Sequence, residues 1–103
     1  VILGMGADGH TASLFPGSAE LADGLKMDSP KSAIAVTPLT AAHQRISMTL
    51  PRLLNSDEII LHITGESKLA VFVQARLHNN PPKFPIAAVV NQQSTPVTLY
   101  YAP

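Results

Sequence analysis

The chain begins VILGMGADGHTASLFPG, residues 1–17, and this stretch decides the fold. An apolar run over residues 1–3 is typical of a buried strand, and it leads into a glycine-rich turn that carries Asp8 and His10. Ligands of α/β proteins bind outside the carboxyl ends of the strands, which is where this turn lies. The stretch therefore predicts an α/β sheet and makes Asp8 and His10 candidate catalytic residues.

The three glycines of this turn, Gly4, Gly6 and Gly9, match the G-x-G-x-x-G pattern of dinucleotide-binding proteins. That pattern requires a long helix directly after the third glycine, and Pro16 interrupts the chain too soon for one. It also requires an acid at the end of the next strand, whereas Asp28 falls in a predicted loop. We therefore interpret the glycines as residues that permit tight turning and the close approach of a ligand.

The composition is typical of one globular domain, since the 103 residues are 46% hydrophobic and 14% charged. Seven basic residues balance seven acidic ones without a basic run, so we expect neither a nucleic-acid nor a membrane partner. The lack of cysteine excludes disulfides and thiolate metal sites and is consistent with a cytoplasmic location. Because the chain has no start Met and opens inside a strand, we expect it to be the C-terminal piece of one larger α/β domain.

Hydrophobic patterning predicts strands that alternate with short helices, and therefore an α/β sheet that is at least partly parallel. Further strands are predicted at 33–37, 45–50, 58–64 and 97–101. The alternating strand 45–50 should bury one apolar side, made up of Ile46, Met48 and Leu50. The clearest helix spans about 66–78 and should bury an apolar face, made up of Leu69, Phe72, Val73 and Leu77. Shorter helices are predicted at 11–15, at 19–25 behind an N-cap at Ser18, and after Pro51, while 86–90 fits either a helix or a strand.

The imidazole of a histidine can take a proton from water at neutral pH, so His10 can act as a general base. A neighbouring carboxylate can fix its tautomer and stabilise its charged form, and whether Asp8 does so stays open at this point. The structural alternatives are an aspartate that only bonds its own turn and a histidine that is a satisfied polar group. His43 falls in a polar loop, His62 should bond locally inside a buried strand, and His78 should lie at a helix C-terminus. No two histidines have metal-ligand spacing.

The string LGMGADGHTASLFPG resembles the signature of the 6-phosphogluconolactonases, whose wider family also contains the glucosamine-6-phosphate deaminases. Two later segments agree in order. RISMTL at 45–50 resembles the R-I-T-L-T strand of the family, and TGESK at 64–68 resembles its strand-to-helix T-G-x-x-K segment. The resemblance covers residues 1 to about 80 and is specific in residues 1–17. It departs at the C-terminus, where this chain has Ala102 and Pro103 and the family often has an aspartate.

The resemblance implies hydrolysis of 6-phospho-D-glucono-1,5-lactone to 6-phosphogluconate in the oxidative pentose phosphate pathway, without a metal or an organic cofactor. It implies that His10 is the general base and that Lys68 contacts the phosphate of the sugar lactone. Arg45 is a second candidate for the phosphate, because a guanidinium can bind it at two points, although a solvent-facing charge is an equal alternative. We also expect backbone N–H groups of the glycine-rich turn, at Gly6 and Gly9, to contact the substrate and its developing oxyanion.

Two alternatives to lactone hydrolysis stay open. The deaminase branch carries an acid five positions after the motif histidine, and this chain has Phe15 there, which disfavours deamination. The other alternative is a non-catalytic fragment that binds sugar phosphate, because family members are longer and their other half supplies a further phosphate loop and further strands. For the same reason we expect little activity from the chain alone, and an exposed sheet edge that could self-associate.

Overall fold

The computed structural model describes residues 1–39 and 43–103. Its strands are β1 (Ile2–Leu3), β2 (Ala33–Val36), β3 (Arg45–Met48), β4 (Ile59–Thr64) and β5 (Val97–Ala102). Its helices are α1 (Leu21–Leu25), α2 (Leu50–Leu54), α3 (Glu66–His78) and α4 (Ala87–Val90). These bounds confirm the predicted strands and the long helix, and they show that 86–90 is mainly helical. Within the described ranges, none of the helices has the length and apolar character needed to cross a membrane.

Three parallel strands form the sheet that positions the N-terminal turn. Their order is β1-β4-β5, and the register places Leu3 beside Leu61 and Leu61 beside Leu99. β4 is the middle strand, and its side chains Ile59, Leu61 and Ile63 are almost completely buried in the main core. The chain runs from β4 through α3 and α4 to β5, as the parallel pairing requires. The prediction of a partly parallel α/β sheet is therefore confirmed.

β2 and β3 form a separate antiparallel ribbon, and the side of β3 that faces inward is the opposite of the predicted one. Ile46 and Met48 are 80% and 48% exposed, whereas Ser47 is only 3% exposed. The Ser47 hydroxyl accepts a hydrogen bond from the Ser13 N–H at 3.0 Å and donates to the Met48 carbonyl at 2.9 Å. Polar bonds to the segment after the glycine-rich turn, rather than apolar burial, thus decide which side of β3 faces inward.

α3 has the predicted bounds, and its buried face is the predicted one in part. Leu69 and Phe72 pack against the core as predicted, whereas Val73 and Leu77 are 44% and 70% exposed and Ala75 is fully buried instead. The Asn91 amide donates to the Ala75 carbonyl at 2.9 Å, which ties this side of the helix to the end of α4. The prediction that Val73 and Leu77 are core residues is wrong because contacts from a distant segment set the rotation of the helix.

The segment that joins the glycine-rich turn to α1 also differs from the prediction. Residues 11–15 form no helical turn, since Thr11 and Leu14 make an isolated antiparallel bridge instead. α1 begins at Leu21, later than predicted, and Ser18 does not cap it, because the Ser18 hydroxyl donates to the Phe15 carbonyl at 3.1 Å. This bond holds the backbone of Phe15 close to the start of α1.

Candidate active site

The turn after β1 closes on itself through two backbone hydrogen bonds. The Gly6 N–H donates to the His10 carbonyl at 2.9 Å, and the Gly9 N–H donates to the Gly6 carbonyl at 3.0 Å. Gly9 has a φ of 86°, a conformation that favours glycine, and it is buried against Phe84. The N–H groups of Gly6 and Gly9 are thus engaged within the turn, so they are not free to stabilise an oxyanion as we expected from the sequence.

Asp8 and His10 are bonded to each other across this closed turn. Nδ1 of the His10 ring lies 2.6 Å from Oδ1 of Asp8, and the same oxygen accepts the His10 backbone N–H at 3.0 Å. A carboxylate can only accept, so Nδ1 of a neutral His10 must carry the proton. The other ring nitrogen, Nε2, is then the one that can take a proton from water. This geometry is the one that a tautomer-fixing carboxylate requires, and the catalytic role of Asp8 stays a prediction.

Two opposing influences act on the pKa of the Asp8 carboxyl. Its partial burial raises the pKa, but the hydrogen bonds from the His10 backbone and ring, together with the charge of His10, outweigh burial. The net result is a pKa below the usual value of 3.8. Asp8 is consequently a carboxylate throughout the neutral range, where it can balance a positive charge that develops on the His10 ring.

An open cleft of about 500 Å³ lies at the carboxyl ends of β1 and β4. Residues of the turn, of β4 and of the first turn of α3 line it, among them Gly6, His10, His62 and Lys68. A volume of this order is typical of small-molecule sites. The cleft therefore brings together three of the residues that the sequence analysis assigned to the site, Gly6, His10 and Lys68.

Lys68 reaches the cleft from the N-terminal end of α3. It is the third residue of the helix and follows Gly65, whose φ of 92° turns the chain from β4 into the helix. The first N–H groups of a helix lack intrahelical acceptors and carry the positive end of its dipole. Together with the Lys68 ammonium they favour an anion at this end of the cleft, and the phosphate contact of Lys68 stays a prediction.

Arg45 contacts the ring of Phe15, a neighbour of His10. Among the described residues, those that line the cleft do not include Arg45. Its guanidinium carbon lies 5.5 Å from the centroid of the Phe15 ring, and the centroids of the Phe15 and His10 rings are 4.5 Å apart. Arg45 is thus linked to His10 through an aromatic ring, and its contact with a substrate phosphate stays a prediction.

His62 lines the cleft, which the sequence pattern did not predict. We predicted a local role inside a buried strand, but the side chain is exposed and lines the cleft. The alternation of side chains along β4 could have predicted this position. Leu61 and Ile63 are buried on one face of the sheet, so His62 between them must face the opposite side. In the part of the chain that the structure describes, no group of three or more histidine, aspartate or glutamate side chains could hold a metal ion.

Comparisons with known proteins agree with this architecture. Residues 1–99 match the family described as glucosamine-6-phosphate isomerases/6-phosphogluconolactonase, and the chain belongs to that family. It is 36% identical over 103 residues to a 6-phosphogluconolactonase of Rhizobium meliloti and 39% identical over 102 residues to one of Neisseria meningitidis serogroup B. These matches cover 100% and 99% of this chain.

The most informative structural likeness is to a crystal structure of a 6-phosphogluconolactonase from Shewanella baltica. The TM-score is 0.93 at 44% sequence identity, over 100% of this chain and 43% of that one. The Rhizobium and Neisseria relatives are each covered over 44% of their length. The chain thus spans less than half the length of the relatives that it matches.

Glycine at position 6 is expected to be required for the geometry of Asp8 and His10. A Cβ at Gly6 would overlap the His10 ring and lie 2.8 Å from Asp8 Oδ1, whereas a Cβ at Gly4 would meet nothing within 4 Å. We expect Gly6→Ala to displace the ring and to lower the free energy of unfolding by about 1–3 kcal/mol. The matched control Gly4→Ala should change it by no more than about 0.5 kcal/mol. Urea unfolding measures both, and equal losses would contradict the prediction.

The lowered pKa of Asp8 predicts a stability that depends on pH. Because the pKa is lower in the folded state, the contribution of Asp8 is complete above its usual pKa and is lost as the pH falls through the folded value. The stability difference between the unmutated protein and Asp8→Asn should therefore shrink between about pH 5 and about pH 2. Thermal unfolding across this range measures it, with Asp57→Asn as a control for the loss of one exposed carboxylate. A difference that stays constant with pH would show that the Asp8 charge does not stabilise the turn.

Proposed function

We propose that the protein hydrolyses the lactone ring of a phosphorylated sugar acid, 6-phospho-D-glucono-1,5-lactone. The observation that carries this proposal is the 2.6 Å contact between His10 and Asp8, with His10 in the same cleft as Lys68. The relatives that the chain matches are 6-phosphogluconolactonases, which supports the same substrate. Phe15 lies beside His10 and supplies no acid or base, which favours hydrolysis over deamination. We also propose a cytoplasmic location, because a chain without cysteine does not depend on an oxidising compartment.

The reaction needs one group that first takes a proton and then returns it. Nε2 of His10 takes a proton from water as the water oxygen bonds to the lactone carbonyl carbon, and the carbonyl electrons move onto its oxygen. When this tetrahedral intermediate collapses, the bond to the ring oxygen breaks, and Nε2 returns the proton to that leaving oxygen. The products are an open-chain acid and the starting form of His10. The Asp8 carboxylate balances the imidazolium between the two steps.

The phosphate of the substrate is held at the other end of the cleft. Lys68 and the N-terminal N–H groups of α3 supply positive charge there, so we assign the phosphate to them. Binding of the phosphate at this end of the cleft orients the lactone ring at the other end. Binding energy from a group far from the reacting bond thus serves to position that bond. Arg45, the second candidate from the sequence, is not among the described residues that line the cleft, so we do not assign the phosphate to it.

The test of this function uses two forms of the protein. One is the chain itself. The other is a chimera, in which this chain replaces the matching 44% of the Neisseria meningitidis relative and the rest of that relative is kept. We expect lactone hydrolysis by the chimera well above the spontaneous rate, and much less by the chain alone. A chimera that folds but does not exceed the spontaneous rate would contradict the proposed function.

His10 is expected to carry the chemical step. In the chimera, His10→Ala should lower kcat for 6-phospho-D-glucono-1,5-lactone by at least about 100-fold with little change in KM, because a positioned general base is worth that much. The control His78→Ala removes an exposed histidine from the far end of α3 and should leave kcat unchanged. Equal activity of the two variants would remove His10 from the mechanism.

Lys68 is expected to act on the phosphate and on nothing else in the substrate. Lys68→Met should raise KM for the phosphorylated lactone about 10-fold to 100-fold, because this is the loss of affinity expected when one hydrogen bond to a charged group is removed. It should leave hydrolysis of the unphosphorylated glucono-1,5-lactone unchanged, because that substrate has no group for the ammonium to bind. Lys26→Met, which removes an exposed lysine outside the cleft, controls for the loss of one charge. A loss of equal size with both lactones would contradict the assignment.

A further inference from the structure

The hydrogen bond to Asp8 does not by itself hold the His10 ring in one orientation. It fixes a single atom, Nδ1, at 2.6 Å from Asp8 Oδ1. Small changes in the two side-chain torsions of His10 can still tilt the ring and move Nε2 while Nδ1 stays within hydrogen-bond distance of Asp8. A second contact, made to the face of the ring, restrains this tilt. Phe15 makes that contact, since its ring centroid lies 4.5 Å from that of His10 with the ring planes at 34°.

Phe15 is itself held at both its backbone and its side chain. Its carbonyl accepts hydrogen bonds from the Ser18 hydroxyl at 3.1 Å and from the Ser18 N–H at 3.3 Å. The guanidinium carbon of Arg45 lies over its ring, 5.5 Å from the centroid, in the geometry of a cation–π contact. Arg45 is brought there by β3, which the bond between Ser47 and the Ser13 N–H ties to the same segment.

We propose that Phe15 and Arg45 are positioning residues for His10. Phe15 packs against the imidazole and keeps Nε2 directed to one place, and Arg45 keeps the Phe15 ring in position. The inference rests on the proposed function in so far as His10 is the base. It assigns Arg45 a role through Phe15 instead of a direct contact with the substrate.

The first test follows the His10 ring in the chain itself and needs no activity. NMR shifts of the imidazole nitrogens report which of them carries the proton. In the unmutated protein we expect the Nδ1–H form, and in Phe15→Leu a mixture of the two tautomers, because the ring no longer stays aligned with Asp8. Phe15→Tyr keeps the aromatic face and should keep the Nδ1–H form. Phe72→Leu is the matched control, since it removes a half-buried ring from α3 outside the cleft.

The NMR result decides the role of Phe15. A mixture of tautomers in Phe15→Leu alone, with the Nδ1–H form kept in Phe15→Tyr and Phe72→Leu, supports positioning. The Nδ1–H form in all variants would overturn the proposal. Because this measurement does not involve the lactone, it can succeed even where the chimera fails to hydrolyse it, so failure of the positioning proposal and failure of the proposed function are distinguishable.

The second test separates the two possible roles of Arg45 by a double-mutant cycle in the chimera. Phe15→Leu should lower kcat by about 10-fold to 100-fold and change KM little, as expected for a misplaced catalytic group. Arg45→Met should lower kcat by a smaller factor, and the double variant should be no worse than Phe15→Leu alone, because Arg45 acts through the ring. A rise in KM for Arg45→Met that multiplies with the effect of Phe15→Leu would overturn the positioning role of Arg45.

Discussion

The hydrogen bond between the Asp8 carboxylate and the His10 ring is the constraint on which the rest of the site depends. It can form because the chain returns on itself between Gly6 and His10, where the Gly6 N–H and the His10 carbonyl are bonded at 2.9 Å. The imidazole occupies the space that a side chain at position 6 would fill. Gly6 thus contributes through the absence of a Cβ, which leaves room for the contact between Asp8 and His10.

The Asp8–His10 pair is supported by both the parallel sheet and the separate antiparallel ribbon. The β1–β4 pair presents the turn and the start of α3, while the ribbon of β2 and β3 contacts the segment that follows His10. Burying the Ser47 hydroxyl is costly unless it is bonded, and its bonds to Ser13 and Met48 meet that requirement. These same bonds leave Ile46 on the exposed side. The orientation of the ribbon is therefore determined by the segment that follows His10, and apolar side chains of β3 stay exposed as a result.

The features that the sequence predicts correctly are those with local causes. β4 and α3 follow from an apolar run, a glycine and a helical stretch that are contiguous in the chain. The resemblance to a known family pointed to His10 and Lys68, and both line one cleft. The predicted buried face was wrong for β3 and partly wrong for α3, because hydrogen bonds from residues distant in sequence, Ser13 and Asn91, help to orient these elements. The contacts of Phe15 with its two neighbours follow no periodic pattern at all, so only the structure reveals them.

The separation between His10 and Lys68 is set by the core and not by a contact between them. His10 follows β1 and Lys68 follows β4, so the register of these two strands decides how their ends align. Leu3 and Leu61 are partners in that register, and both are buried in the core. A slip of one residue would turn one of the two leucines to the exposed face, which burial forbids. Apolar packing in the middle of the sheet thus fixes how far apart the cleft holds His10 and Lys68.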